Sequence, residues 1–318
     1  MTKIKNVALI GLGAIGGFVA PRVQKTLGNE HFYLIANGER KQRLESQGMI
    51  VNGEQYYFQV KDSNNKEEAD LIIFAVKFTA LEQALEDVRS HVGKHTIFMA
   101  LLNGVESEEV IQKAYPDQKV LYSVIRVPAL HSGNQVTYPP EKGRISFGEA
   151  ENDILSKDVQ GVKDLFDVCK IPYEIPKDMI RNMWFKFMTN VSENQSSAIL
   201  RAPYGIWKIS KEANHLREEA AKEVIAVAQK KGINLTIEDL EDHKEYLLGL
   251  PFEGKPSTCQ DIEAGRKTEV DMFAGSVIKM GQELGVPTPY NQMFYDCIKS
   301  LESWNEVLRE KQKLPSEL

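Results

Sequence analysis

Within Trp184-Phe185-Lys186-Phe187-Met188-Thr189-Asn190-Val191-Ser192-Glu193-Asn194, an ammonium group and two carboxamides recur four residues apart. On an α-helix, Lys186, Asn190 and Asn194 fall at i, i+4 and i+8 and stack along one side. At about 1.5 Å of rise per residue the row spans roughly 12 Å, the length of a small organic molecule. A lysine can donate a proton and stabilise developing negative charge, while amides hold polar substituents in place. The residues between are mostly apolar, so the helix is expected to be largely buried and its polar row to need partners. A solvated stripe on an amphipathic helix accounts for the spacing equally well.

A second polar stretch, residues 256–271, contains Ser257, Gln260, Asp261, Thr268, Glu269 and Asp271. Thr268 with an acid three residues later has the form of a capping box. Glu269 would suit the first turn of a helix whatever else it did, and Ser257 would suit an N-cap. Catalytic and structural readings of these residues therefore stand side by side. The histidines (His31, His91, His95, His131, His215, His243) fall outside both stretches, with surface or structural roles expected. No metal-ligand spacing and no nucleophile elbow is present, so no metal is expected.

The elements that would position these groups begin at the N-terminus. Residues 5–10 form a short apolar run that ends in Gly11-Leu12-Gly13-Ala14-Ile15-Gly16, and a helix-compatible stretch follows to about residue 27. Gly11 would permit the tight turn, Gly13 the approach of a pyrophosphate, and Gly16 close packing of helix on strand. The helix N-terminus would offer free N–H groups to the phosphates. Further strands are expected at residues 31–36, 70–76 and 96–102, with helices between them. This alternation predicts a doubly wound parallel sheet of the Rossmann type.

The second strand runs into Ala36-Asn37-Gly38-Glu39-Arg40-Lys41. A carboxylate at that tip would grip a ribose 2′-hydroxyl, whereas the neutral Asn37 with Arg40 and Lys41 suits a 2′-phosphate and favours NADP. Lys77 and Asn103 end the third and fourth strands at the carboxyl edge, where ligands bind in such sheets. After a β-region at 123–148 and a strand-like segment at 172–175, the pattern is helical. The clearest helices are expected at 210–231, 237–248, 268–284 and 289–311. The boundary is placed near Pro176, giving a dinucleotide-binding domain at 1–176 and an all-helical substrate and dimerisation domain at 177–318. The Lys186 helix then falls at the junction, where ligand sites concentrate.

Composition narrows the class. With 318 residues, 42% hydrophobic and 26% charged, the chain is an ordinary globular one of two-domain length. A net charge of −6 without basic runs argues against nucleic-acid binding. Cys169, Cys259 and Cys297 are scattered, as expected for free thiols in a reducing cytoplasm. The N-terminal apolar run imitates a signal peptide, but its glycines belong to the phosphate loop. No segment approaches the roughly 20 apolar residues of a membrane span, and a cytoplasmic protein is expected.

Taken in order, Gly-Leu-Gly-Ala-Ile-Gly at 11–16, Phe-Ala-Val-Lys at 74–77, Asn-Gly-Val at 103–105 and Phe-Gly-Glu at 147–149 form one set. Trp184 to Asn194, Ser257 with Gln260-Asp261, and Thr-Glu-Val-Asp at 268–271 complete it. This ordered set resembles the ketopantoate reductase (2-dehydropantoate 2-reductase) family over nearly the whole chain. The resemblance implies an NADPH-dependent reductase of a 2-oxo acid, often dimeric, in pantothenate biosynthesis. It implies Lys186 as general acid, Glu269 as its supporting carboxylate, and Asn190, Asn194 and Ser257 as substrate ligands, with Asn103 bridging substrate and cofactor. It also places the 11–16 loop, Asn37, Arg40, Lys77 and Glu269 beside the cofactor. The family commonly carries an arginine where this chain has Asn37. Two alternatives stay open: a D-2-hydroxy-acid dehydrogenase for another branched or aromatic 2-oxo acid, with NADH, and a non-catalytic NADP sensor.

Overall fold

Every residue of the run Val7-Ala8-Leu9-Ile10 is buried, as a strand covered on both faces requires. The computed structural model describes residues 3–313 and separates them into two units, one ending at Met183 and one starting at Trp184. The first unit has strands β1 (Val7–Ile10), β2 (Phe32–Ile35), β3 (Met49–Val51), β4 (Glu54–Tyr56), β5 (Val60–Lys61) and β6 (Ala69–Phe74). It continues with β7 (Val92–Ala100), β8 (Lys119–Arg126), β9 (Leu130–Ser132), β10 (Gln135–Thr137), β11 (Arg144–Gly148) and β12 (Tyr173–Glu174). Its helices are α1 (Ala14–His31), α2 (Gly38–Gln47), α3 (Leu81–Asp87), α4 (Ser107–Ala114) and α5 (Lys157–Val168).

Eight strands form one sheet in the order β12-β11-β8-β7-β6-β1-β2-β5, and β4-β3-β10-β9 form a small second one. Pairing in the large sheet is parallel except where β8 meets β11, so the expected parallel sheet carries one antiparallel junction. Alternation along β1 sends Val7 and Leu9 into a cluster with Phe18, Val19 and Val23 of α1. Ala8 and Ile10 join Phe74, Leu81 and Ile111 on the other face. Each such fully buried aliphatic or aromatic side chain contributes roughly 1.5–3 kcal/mol, which is what holds so short a strand in place.

Every regular element among the described residues of the second unit is helical. The division falls within α6 (Met179–Thr189), which is followed by α7 (Gln195–Leu200), α8 (Ile206–Ile209), α9 (Lys211–Lys230) and α10 (Ile237–Gly249). Then come α11 (Ser257–Glu263), α12 (Ser276–Leu284) and α13 (Pro289–Lys313). Ala198, Cys259, Ile262, Val270, Ala274 and Ile298 form a shared core across α7, α11 and α13. No helix among the described residues is long and apolar enough to cross a membrane.

Two expected helices are interrupted. Residues 184–194 are not one regular α-helix, because Asn190–Asn194 forms a single π-turn between α6 and α7. Residues 268–284 likewise begin with a π-turn, Asp271–Gly275, and become α-helical only at Ser276. In the first case buried side chains compete for the carbonyls: Ser192 Oγ donates to Met188 O (2.8 Å), and Ser196 Oγ donates to Ser192 O. Hydroxyls bonding back one turn in this way bend and loosen a helix.

Candidate functional site

In the N-terminal unit, Ile35, Ile10, Phe74 and Ala100 lie in one register row across β2, β1, β6 and β7. The chain therefore leaves the sheet along one edge at 36–37, 11–16, 75–77 and 101–103. The Ala75 N–H donates to the Ile10 carbonyl and the Leu101 N–H to the Phe74 carbonyl, each at 2.8 Å, so pairing continues just past the strands. Strand β1 lies between β2 and β6, which makes this edge the switch point of the sheet.

The loop glycines divide into two kinds. Gly11 has φ of +101°, and a Cβ there would lie 2.4 Å from the Ala75 carbonyl oxygen. A Cβ on Gly16 would lie 2.2 Å from the Gly11 carbonyl oxygen, so backbone packing alone excludes a side chain. Gly13 has nothing within 4 Å of its missing Cβ. It is the N-cap of α1, which has no side-chain capping bond and no acid in its first turn. Backbone N–H groups that face open space at a helix start suit a phosphate. Leu12 is buried, and Ala14 and Ile15 are half-buried.

Asn37 caps α2 without a side-chain capping bond. Its Oδ1 instead accepts from the Ser63 N–H (3.0 Å) and hydroxyl (3.1 Å). Lys41 is paired with Asp62 at 2.9 Å, which takes one of the expected basic groups out of play. Arg40 is exposed and makes no ion pair among the described residues. Lys77 is exposed at the cap of the turn Phe78–Ala80, and Asn103 is half-buried ahead of α4. Glu108, which no motif marks in the sequence, is buried in the first turn of α4, where the Ser107 hydroxyl donates to it at 2.8 Å. Burial pushes its pKa from an ordinary 4.5 up to about 7, against the pull of its hydrogen bonds.

In the C-terminal unit Lys186 is half-buried on α6, among the buried Trp184, Phe187 and Met188. Trp184 and Phe187 meet edge to face with ring centroids 5.7 Å apart, fixing that helix surface. Asn190 and Asn194 mark the two ends of the first π-turn. Asn194 Nδ2 donates over long contacts to Asn190 Oδ1 (3.5 Å) and Ser257 Oγ (3.4 Å), so these three polar groups meet. Ser257 is the first residue of α11, and Pro256, not Ser257, is its N-cap. The segment before it is held by Tyr204 and Gly205, whose N–H groups donate to the carbonyls of Gly254 and Phe252.

Glu269 is half-buried, and its carbonyl accepts the Met272 and Phe273 N–H groups at the mouth of the second π-turn. The capping box expected from Thr268 and Asp271 is replaced by other bonds. Thr268 donates to Glu302 and accepts from the Val270 N–H, while Asp271 accepts from Tyr295 (2.8 Å) and Lys299. π-turns recur at functional sites, and here one holds both asparagines while the other adjoins Glu269.

Two buried polar residues, Glu193 and Gln195, carry no expected role, while His243 takes a structural one. Glu193, within the first π-turn, pairs with His243 at 2.5 Å, and His243 also meets the edge of Phe185. Gln195 is wholly buried and bonds to both π-turns. The signal available was a polar run, Ser192-Glu193-Asn194-Gln195-Ser196-Ser197, flanked by apolar residues.

The family described as "Ketopantoate reductase PanE/ApbA" matches residues 7–152, and its C-terminal counterpart matches residues 178–302. A 2-dehydropantoate 2-reductase of Streptococcus pyogenes serotype M6 is 26% identical over 303 residues, covering 93% of this chain and 98% of that protein. Among solved structures, a PanE/ApbA family ketopantoate reductase from Ralstonia eutropha JMP134 has a TM-score of 0.82 at 23% identity, covering 95% of this chain and 99% of the other. A D-mandelate dehydrogenase solved with NADH and anilino(oxo)acetate has a TM-score of 0.84 at 22% identity, again covering 95% and 99%. Structural likeness at these identities establishes the fold.

Proposed function

Because the chain belongs to the ketopantoate reductase (PanE/ApbA) family of oxidoreductases, we propose that it catalyses the NADPH-dependent reduction of 2-dehydropantoate to D-pantoate. The observation that carries this reading is the family's match to both halves of the chain, with Asn194 in contact with both Asn190 and Ser257 within the second. The open space over Gly13 fits a dinucleotide pyrophosphate, which the first-turn N–H groups of α1 would hold. When bound, the reduced nicotinamide supplies a hydride to the ketone carbon.

The remaining work falls to this chain's side chains. As negative charge grows on the ketone oxygen, the Lys186 ammonium stabilises it and donates the proton that completes the alcohol. The Glu269 carboxylate favours the charged lysine and orients it. Asn190, Asn194 and Ser257 hold the carboxylate and hydroxyl oxygens and so select the face that is reduced. Lys77 and Asn103 lie along the cofactor edge of the sheet, and Arg40 is the group left to meet a 2′-phosphate.

A second reading, a D-2-hydroxy-acid dehydrogenase for a bulkier or aromatic 2-oxo acid with NADH, is favoured by one observation. At the tip of β2, Asn37 is committed to Ser63 and Lys41 to Asp62, which leaves little positive charge for a 2′-phosphate. Steady-state oxidation of NADPH and NADH with 2-dehydropantoate beside branched and aromatic 2-oxo acids separates the readings. The proposal expects the highest kcat/KM for NADPH with 2-dehydropantoate. A preference for NADH with an aromatic acid overturns it, and no oxidation with any acid leaves a nucleotide-binding protein without this chemistry.

A further inference from the structure

Each π-turn displaces backbone groups from the regular helical ladder, and one side chain meets displaced groups of both. In the second turn the Gly275 N–H donates to the Val270 carbonyl at 3.0 Å, a five-residue step that takes the acceptor an α-helix would give to Ala274. The Ala274 N–H donates instead to Gln195 Oε1 at 3.1 Å. At the end of the first turn, the Gln195 N–H reaches the Ser192 carbonyl, three residues back. The Val191 carbonyl, four residues back, accepts from Gln195 Nε2 at 2.7 Å. Gln195 is 0% exposed, so neither group it satisfies has water to turn to.

We propose that Gln195 is a positioning residue whose single carboxamide joins the two π-turns and thereby fixes Asn190 and Asn194 against the segment that carries Glu269. The proposal rests on the roles given to those three residues above. The task needs a donor and an acceptor on one planar head at the end of a two-methylene stem. Methionine matches the length and supplies neither. Asparagine is one methylene short. Glutamic acid supplies both when protonated, through its hydroxyl to Val191 and its carbonyl from Ala274, and loses the donor on ionising. The position follows Asn194 directly, so slack between the turns would be felt first at the substrate amides.

The test compares wild type, Gln195→Met and Gln195→Glu in steady-state reduction of the preferred 2-oxo acid, with NADPH affinity and Ala274 amide exchange measured alongside. Gln195→Met is expected to lower kcat/KM by tenfold or more, raise KM for the acid and speed Ala274 exchange. NADPH affinity should stay within twofold. The activity of Gln195→Glu relative to wild type is expected to fall as pH rises and the new carboxyl ionises. A Gln195→Met kcat/KM within twofold of wild type, or a Gln195→Glu ratio flat with pH, overturns the proposal. Wild-type inactivity toward every 2-oxo acid would remove the reading beneath it and the positioning role with it. That result is distinguishable, because Ala274 exchange would still respond to Gln195→Met.

Discussion

The region assigned to the cofactor and the region assigned to the substrate are built by different means. The first is backbone: Gly11, Gly13 and Gly16 shape a turn in which the absence of side chains does the work, and helix α1 begins without a side-chain cap. The second is side chain: Lys186, Asn190 and Asn194 lie along a helix run broken by one π-turn, Ser257 opens α11, and Glu269 adjoins a second π-turn, with buried polar residues holding the turns. A backbone site is broken by adding atoms, and a side-chain site by removing them. This contrast also says where damage shows, as lost folding or cofactor affinity in one region and as lost turnover in the other.

The largest effect is expected from placing a side chain on Gly16. Gly16→Val would put Cβ 2.2 Å from a backbone oxygen and should destabilise the protein by more than about 3 kcal/mol, read by chemical denaturation. Gly13→Ala sharpens the point, because its φ of −116° is open to any residue and its Cβ meets nothing. Stability should change by less than about 1 kcal/mol while NADPH affinity drops about tenfold or more in a binding titration. Equal destabilisation by both variants would dissolve the distinction between packing glycine and ligand glycine.

Asn194→Ala is expected to reverse that profile. Loss of the amide joined to Asn190 and Ser257 should lower kcat/KM by about 10²-fold, with NADPH affinity and melting temperature near wild type. A melting temperature that falls as far as the activity would mark Asn194 as structural.

The legible part of the molecule follows from this difference. In the 11–16 loop the glycine spacing is itself the geometry, so the motif and its strand–helix setting could be read directly from residue order. Strands β1, β2, β6 and β7 announced themselves as apolar runs with ends shifted by a few residues. In the second sheet β9 and β10 fall within the β-region expected at 123–148, whereas β3 and β4 did not announce themselves, because they are three residues long and partly exposed. The π-turns were hidden by their own sequence, since Lys186, Asn190 and Asn194 at four-residue intervals look the same on an α-helix. Only the partners of buried Ser192, Gln195 and Ser196 reveal the break, and partners distant in sequence, such as Ala274 for Gln195 and His243 for Glu193, are set by tertiary packing.

A smaller effect tests whether buried polar groups in the backbone-built unit matter mainly for stability. Glu108 takes up a proton more readily folded than unfolded, its pKa rising from 4.5 to about 7. The stability it contributes is therefore present at low pH and is lost as pH rises from about 4.5 through about 7. Glu108→Gln should flatten that loss, so its advantage over wild type grows across this window and levels off on the order of 2 kcal/mol above it. Denaturation at pH 5 and pH 8 checks it, and a constant difference between the two proteins would show that Glu108 titrates normally.

The central claim, that Lys186 provides the proton chemistry for reduction of a 2-oxo acid, is tested most directly by one comparison. NADPH oxidation driven by 2-dehydropantoate is measured for wild type and Lys186→Ala, with NADPH affinity measured separately for each. The account predicts that kcat falls by about 10³-fold while NADPH affinity stays within about twofold. Turnover that survives within a few-fold of wild type would contradict it.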